Sequence, residues 1–164
     1  VTTQIDGSED ETPRWLDDAE MAAWRAFIDG SQRLMGLLNR ELQDRHGLST
    51  ADYRILVMLS ESPDGSVRMS DLADGVISSR SKLTHQIRRM EADGMVTRNT
   101  CLDDGRGVLA ILTEEGRRRL EEAAPTHVSG VRRYLVDLLD ADELTSVERV
   151  FTKVNAAIGE RSAG

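Results

Sequence analysis

Residues 79–112 read SRSKLTHQIRRMEADGMVTRNTCLDDGRGVLAIL, and the way they fold decides the architecture. Leu83, Ile87 and Met90 fall four and three residues apart, the spacing of one buried stripe on a helix. Ser79 stands where that helix needs a cap, because its hydroxyl can accept from a first-turn N–H that has no partner within the helix. Gly94 follows the last apolar position and supplies a stop, so a helix is predicted from the Ser79 cap to about Ala92. Two β-prone runs come next, Met95 to Thr100 and Val108 to Leu112. Between them, Asp104-Gly105 and the second glycine Gly107 suit a hairpin turn, where glycine takes positive φ without steric cost.

Upstream, Ser66 to Met69 is long enough for one short strand, and Ser70 is read as the cap of a two-turn helix from Asp71 to about Val76, with Leu72 and Ala73 inward. Thr50 is read as the cap of an earlier helix that turns Tyr53, Leu56, Val57 and Met58 or Leu59 inward and stops near Pro63-Asp64-Gly65. A long helix before it, Asp17 to about His46, carries the stripe Trp24, Phe27, Ile28, Met35, Leu38 and Leu42, and Gly47 ends it. Downstream, Thr113-Glu114-Glu115 opens a helix that reads on through Leu120, Val128, Val131, Leu135 and Leu138, with a kink expected at Pro125. A last helix covers about Ala141–Ile158, with Leu144, Val147, Phe151, Val154 and Ile158 apolar.

Two short helices joined by Asp74-Gly75-Val76-Ile77-Ser78 and followed by a hairpin make a winged helix-turn-helix. The fold class expected is therefore mainly α with a small β-hairpin wing. Residues 50–113 are expected to form the winged domain, 17–46 and 114–159 the long helices that flank it, and 1–16 a flexible acidic arm.

The formal net charge is -8, which taken alone argues against a polyanionic partner. The charge is uneven, however. Residues 1–24 hold seven anions and one cation, and residues 137–164 hold six anions and three cations, whereas residues 68–106 hold seven cations and six anions. With Leu83, Ile87 and Met90 inward, a step of about 100° per residue turns Ser81, His85 and Arg88 to the opposite face, flanked by Lys82, Thr84 and Arg89. Such a row fits a DNA major groove, where Arg and Lys pair with guanine edges and Ser or Thr serves either base. Ser79, Arg80 and the free N–H groups beside them suit a phosphate. Any exposed helix face is polar, so the row by itself is ambiguous. Arg106, near the hairpin tip, adds a probe suited to a narrow minor groove, which a merely solvated face does not require.

Other chemistries leave no signature. There is no nucleophile elbow, phosphate loop or dinucleotide fingerprint, so no catalytic residue and no cofactor are expected. His46, His85 and His127 lack metal-ligand spacing, so no metal site is expected either. No apolar run approaches a membrane span and the N-terminus is not a signal peptide, so no membrane partner is predicted. A single cysteine, Cys101, fits a reducing cytoplasm, and a small strand residue is the favoured reading of it over a redox sensor.

The ordered set Leu72-Ala73, Ser79-Arg80-Ser81-Lys82-Leu83-Thr84, Met90-Glu91, Gly94-Met95-Val96, Asp104-Gly105-Arg106 and Leu112-Thr113-Glu114-Glu115-Gly116 resembles the MarR-type transcriptional regulators, from about Trp15 to the last helix. The resemblance implies a homodimer, with 17–46 and 114–159 as its dimerisation helices, that reads a palindromic operator in double-stranded DNA and acts as a ligand-responsive repressor. It implies that Ser79, Ser81, Thr84 and His85 contact DNA, that Arg106 enters the minor groove, and that Asp104 orients Arg106 by a salt bridge. It also implies a pocket for a small aromatic or phenolic effector, for which Trp15, Trp24, Phe27 and Tyr53 are the candidates. Two positions depart from the pattern: relatives often carry arginine at His85 and an acidic residue at Arg88, so base preference does not carry over. The competing reading is a helical adaptor that dimerises without binding DNA. It leaves the basic helix and the arginine-tipped hairpin without a purpose.

Overall fold

The computed structural model describes residues 13–76, 79–100 and 107–162. Among the described residues the elements follow in the order α1 (Asp18–His46), α2 (Thr50–Glu61), β1 (Ser66–Arg68), α3 (Met69–Gly75), α4 (Arg80–Ala92), β2 (Val96–Thr100), β3 (Val108–Leu112), α5 (Glu114–Tyr134) and α6 (Ala141–Ser162). A single 3-10 turn, Val136–Leu138, separates α5 from α6. Among the described residues no helix is long and apolar enough to cross a membrane.

The wing is built on three strands rather than two. β3 pairs antiparallel with β2 on one side and with β1 on the other, giving the order β1-β3-β2. Val67 and Arg98 both stand opposite Ala110, which is fully buried at the centre of the sheet. The short β1 is thus a partner for the free edge of the hairpin, a pairing between segments more than forty residues apart that local pattern does not reveal.

Two caps differ from the sequence reading. Ser49, not Thr50, caps α2: its hydroxyl accepts from the Asp52 N–H, and the Asp52 carboxylate accepts from the Ser49 N–H, a reciprocal capping box. Thr50 is already helical, and its N–H donates to Asn39 Oδ1 at 3.0 Å. The box needs an acceptor three residues past the cap; Ser49 has Asp52 there, whereas Thr50 has Tyr53. Likewise Ser70 does not cap α3. That helix starts at Met69 directly out of β1, and the Ser70 hydroxyl donates to Asp71 Oδ1 instead.

One core runs through the winged domain and draws on every element from the end of α1 to α5. Leu42, Leu48, Ile55, Leu56, Leu59, Leu72, Leu83, Ile87, Met90 and Val96 are fully buried in it. Each such side chain contributes about 1.5–3 kcal/mol. On α5 the buried positions are Gly116, Leu120, Ala123 and Gly130, while Val128 and Leu138 of the expected stripe are exposed. Small residues are needed where α5 crosses its neighbours: a Cβ on Gly116 would lie 2.1 Å from the Met95 carbonyl oxygen, and one on Gly130 would lie 2.8 Å from Leu38 Cδ2. The helix runs unbroken through Pro125 and ends at Tyr134, short of Leu135 and Leu138.

The chain divides into two units, residues up to Arg33 and residues from Leu34 onward. In the first, Asp17 and Glu20 form a capping box, and the Trp24 and Phe27 rings lie 5.9 Å apart with both side chains exposed. In the second, α1 buries Leu38 and Leu42 but leaves Met35 and Leu37 exposed, and α6 exposes Val147, Val150, Phe151, Val154 and Ile158 along its length.

Candidate nucleic-acid interface

The helix α4 forms as its sequence predicts. The Ser79 hydroxyl accepts from the Lys82 N–H at 3.3 Å, which satisfies one of the free first-turn donors. Gly94 takes φ +74 just past the last turn, so the chain reverses into β2 without a Cβ penalty. Leu83, Ile87 and Met90 are buried, and Ser81, His85 and Arg88 are exposed on the far side. Arg80, Lys82 and Arg89 are exposed beside them. Thr84 is half-buried, and its hydroxyl donates to the Arg80 carbonyl at 2.7 Å, which leaves only its lone pairs for another partner.

Beside the buried stripe, three polar contacts among the described residues tie this helix to the rest of the winged domain. The first is Asp52 of α2, only 4% exposed, whose oxygens accept from the Ser49 N–H (3.0 Å), the Ser49 hydroxyl (2.6 Å), Gln86 Nε2 (3.0 Å) and the Arg89 guanidinium (2.5 Å). Burial pushes the Asp52 carboxyl up, but the hydrogen bonds from Ser49 and Gln86 and the Arg89 charge outweigh it and hold the group below its ordinary 3.8. The second is Glu91, whose Oε2 accepts from Arg98 Nε at 3.0 Å and from its terminal nitrogen at 2.7 Å. This pairing ties the last turn of α4 to β2 and holds the Glu91 carboxyl below its usual value. The third is Thr113, which donates to the Gly94 carbonyl at 2.6 Å and accepts from the Gly116 N–H at 3.0 Å, joining the end of α4 to the start of α5. On the other side of the motif, Arg54 of α2 donates twice to the Gly75 carbonyl and fixes the end of α3.

These bonds sort the cations of α4. Arg89 is engaged by Asp52, whereas among the described residues no ion pair holds Arg80, Lys82 or Arg88. Open clefts flank the helix on both sides. One of about 480 Å³ lies against the start of α2 and is lined by Ser49, Lys82, His85 and Arg89; the other, of about 290 Å³, lies against β1 and the wing and is lined by Arg68, Ser70, Arg80 and Val108. The resulting surface is a convex polar helix between two cation-edged grooves, a shape that admits two phosphate strands on either side of a base-pair edge.

Sequence reasoning did not find Asp52, Gln86, Glu91 or Arg98. The only available signal was the Ser49-x-x-Asp52 spacing of a capping box. Cys101, Asp104 and Arg106 lie outside the described residues. Of the four aromatic candidates, Trp15, Trp24 and Phe27 are exposed. Tyr53 is buried in the winged domain with its ring 4.5 Å from that of His127. Among the described residues no group of three His, Cys, Asp or Glu side chains is placed to hold a metal ion.

Comparison with known proteins gives a consistent picture. A family model described as MarR family matches residues 48–108. The homoprotocatechuate degradative operon repressor of Escherichia coli is 33% identical over 105 residues, which are 64% of this chain and 69% of that protein. The HTH-type transcriptional repressor YetL of Bacillus subtilis (strain 168) is 25% identical over 133 residues, 81% of this chain and 79% of that protein. Among solved structures, AbsC of Streptomyces coelicolor, a MarR family transcriptional regulator, superposes with a TM-score of 0.86 at 41% identity, covering 90% of this chain and 99% of that one. Sco3205 of the same organism, solved in complex with DNA, has a TM-score of 0.86 at 38% identity, covering 88% and 91%.

Proposed function

The chain belongs to the MarR family of transcriptional regulators, and on that premise we propose that it is a repressor that binds a palindromic operator as a homodimer and releases it on binding a small aromatic or phenolic compound. The observation that carries this reading is the exposed row Ser81, His85 and Arg88 on α4, opposite a fully buried stripe and between two cation-edged clefts. Ser81 and His85 read base edges, with Thr84 offering its lone pairs. Arg80, Lys82, Arg88 and the Ser79 end of the helix take phosphates. Arg106, oriented by Asp104, is assigned to the minor groove as the sequence suggests.

The exposed apolar row on α6 and the exposed Met35 and Leu37 of α1 support a two-fold interface, since a single chain leaves them to water. A dimer of this kind sets two α4 helices about 34 Å apart, one turn of the duplex. With acid concentrated toward both ends of the chain, attraction to phosphate is local to the α4 face, and affinity falls steeply with salt. The effector acts by population shift: once bound, it favours a spacing of the two reading helices that no longer fits the site. The reaction-free character of this scheme accords with relatives that are named as repressors. The protein is assigned to the cytoplasm, where its DNA is.

A gel shift with the DNA upstream of the protein's own gene, followed by selection from random duplexes, tests the reading. A retarded complex on a palindrome, lost with added salt, is expected. Binding to no sequence in either experiment would favour the dimeric adaptor instead.

A further inference from the structure

The buried stripe of α4 fixes which face points inward, but apolar contact is non-directional and leaves the helix free to rotate by some degrees about its axis. Hydrogen bonds are directional, and two of them reach α4 from one atom of a different helix. Asp52 Oδ1 of α2 accepts from Gln86 Nε2 and from the Arg89 guanidinium, two side chains three residues apart on the same side of α4. The other Asp52 oxygen is held by the N–H and hydroxyl of Ser49, so the acceptor is itself fixed by the capping box of α2. At the surface of a helix, about 6 Å from its axis, a rotation of about 20° displaces a side-chain atom by about 2 Å. That is enough to lose a hydrogen bond to a base edge.

We propose that Asp52 is a positioning residue for DNA recognition: buried and unable to touch DNA, it sets the rotation of α4 through Gln86 and Arg89, and so decides which base edges Ser81 and His85 meet. Arg89 on this account acts through Asp52 and is not a phosphate contact, although the sequence places it among the cations of the reading helix. The proposal rests on the assignment of α4 as the reading helix.

The test compares wild type, Asp52→Asn, Arg89→Gln, the double variant and Arg88→Gln on a selected operator and on an unrelated duplex of equal length, across a series of salt concentrations. Asp52→Asn and Arg89→Gln should each lower operator affinity about tenfold or more, while affinity for the unrelated duplex and the slope of log K against log salt stay as in wild type. The double variant should lose no more than the weaker single variant, because both changes remove one coupling. Random-sequence selection with either variant should yield a consensus altered at the positions that wild type discriminates. Loss of fold alone would lower both affinities together. Arg88→Gln is the control and should weaken both DNAs and reduce the slope by about one. A loss on both duplexes with a reduced slope for Arg89→Gln would make it a phosphate contact and overturn the proposal. So would an Asp52→Asn protein with the wild-type operator preference. Should Asp52→Asn not fold, Arg89→Gln, on a largely exposed side chain, decides the matter alone. A wild-type protein that prefers no sequence would overturn the reading-helix assignment, and the proposal with it.

Discussion

The Glu91 carboxylate grips Arg98 through three donors, the backbone N–H at 3.3 Å and the guanidinium at 3.0 and 2.7 Å, and so joins the last turn of α4 to β2. Both side chains are about one-third exposed, so solvent screens the pair and it adds little to stability. Its effect is geometric. Glu91→Gln or Arg98→Ala should leave the melting temperature within about 3 °C of wild type and weaken operator binding several-fold, because the wing is no longer held at a set angle to α4. Thermal melts and gel shifts on the same preparations check both halves.

The His127 ring lies against that of Tyr53, and its Nδ1 is buried with no hydrogen-bond partner among the described residues. Burial depresses the His127 pKa below its ordinary 6.5. Between the depressed value and 6.5 the unfolded chain binds more protons than the folded one, so this site costs stability as pH falls through 6.5. Asp52 has the opposite character. Its folded pKa is depressed below 3.8, so its contribution is complete above 3.8 and lost as pH falls through the folded value. Urea midpoints should decline from pH 7.5 to 5 and again below pH 4. His127→Gln should reduce the first decline and leave the second, and Asp52→Asn should reduce the second and leave the first.

Gly116 sits where α5 passes the Met95 carbonyl. A methyl group there meets backbone rather than a movable side chain, so Gly116→Ala should destabilise the fold by about 1–3 kcal/mol despite the better helix propensity of alanine. Urea denaturation measures it. An unchanged midpoint would mean that α5 can shift away from β2.

The apolar row on α6 predicts the oligomeric state. Val154→Asp places a charge at the middle of that row and should convert a dimer into a monomer by light scattering, with operator binding lost in parallel. Circular dichroism should remain helical, since α6 keeps its own hydrogen bonds.

What sequence reading reached was decided by the range of the interaction involved. The helix α4 was legible from Ser79 to Ala92 because its cap, stripe and stop all lie within sixteen residues, and its exposed face follows from the helical step. The strand β3 was legible for the same reason. Ser49 was overlooked because Thr50 is an equally good cap by type, and only the reciprocal bond with Asp52 separates them. The pairing of β1 with β3, the Asp52 bonds to Gln86 and Arg89, and the small-residue face of α5 all depend on partners more than twenty residues away, and local spacing carries no trace of them. Arg89 illustrates the consequence: by position it is one more cation on α4, and only the fold reveals the carboxylate that holds it.

The most direct test of the central claim measures wild type and His85→Ala against a panel of operators that differ by single base pairs. Wild type should discriminate strongly at defined positions, by about 1–3 kcal/mol per mismatch. His85→Ala should lose that discrimination at one position in each half-site while keeping its affinity for unrelated duplex. A uniform loss across the panel, with every preference retained, would contradict the assignment of α4 as the helix that reads the bases.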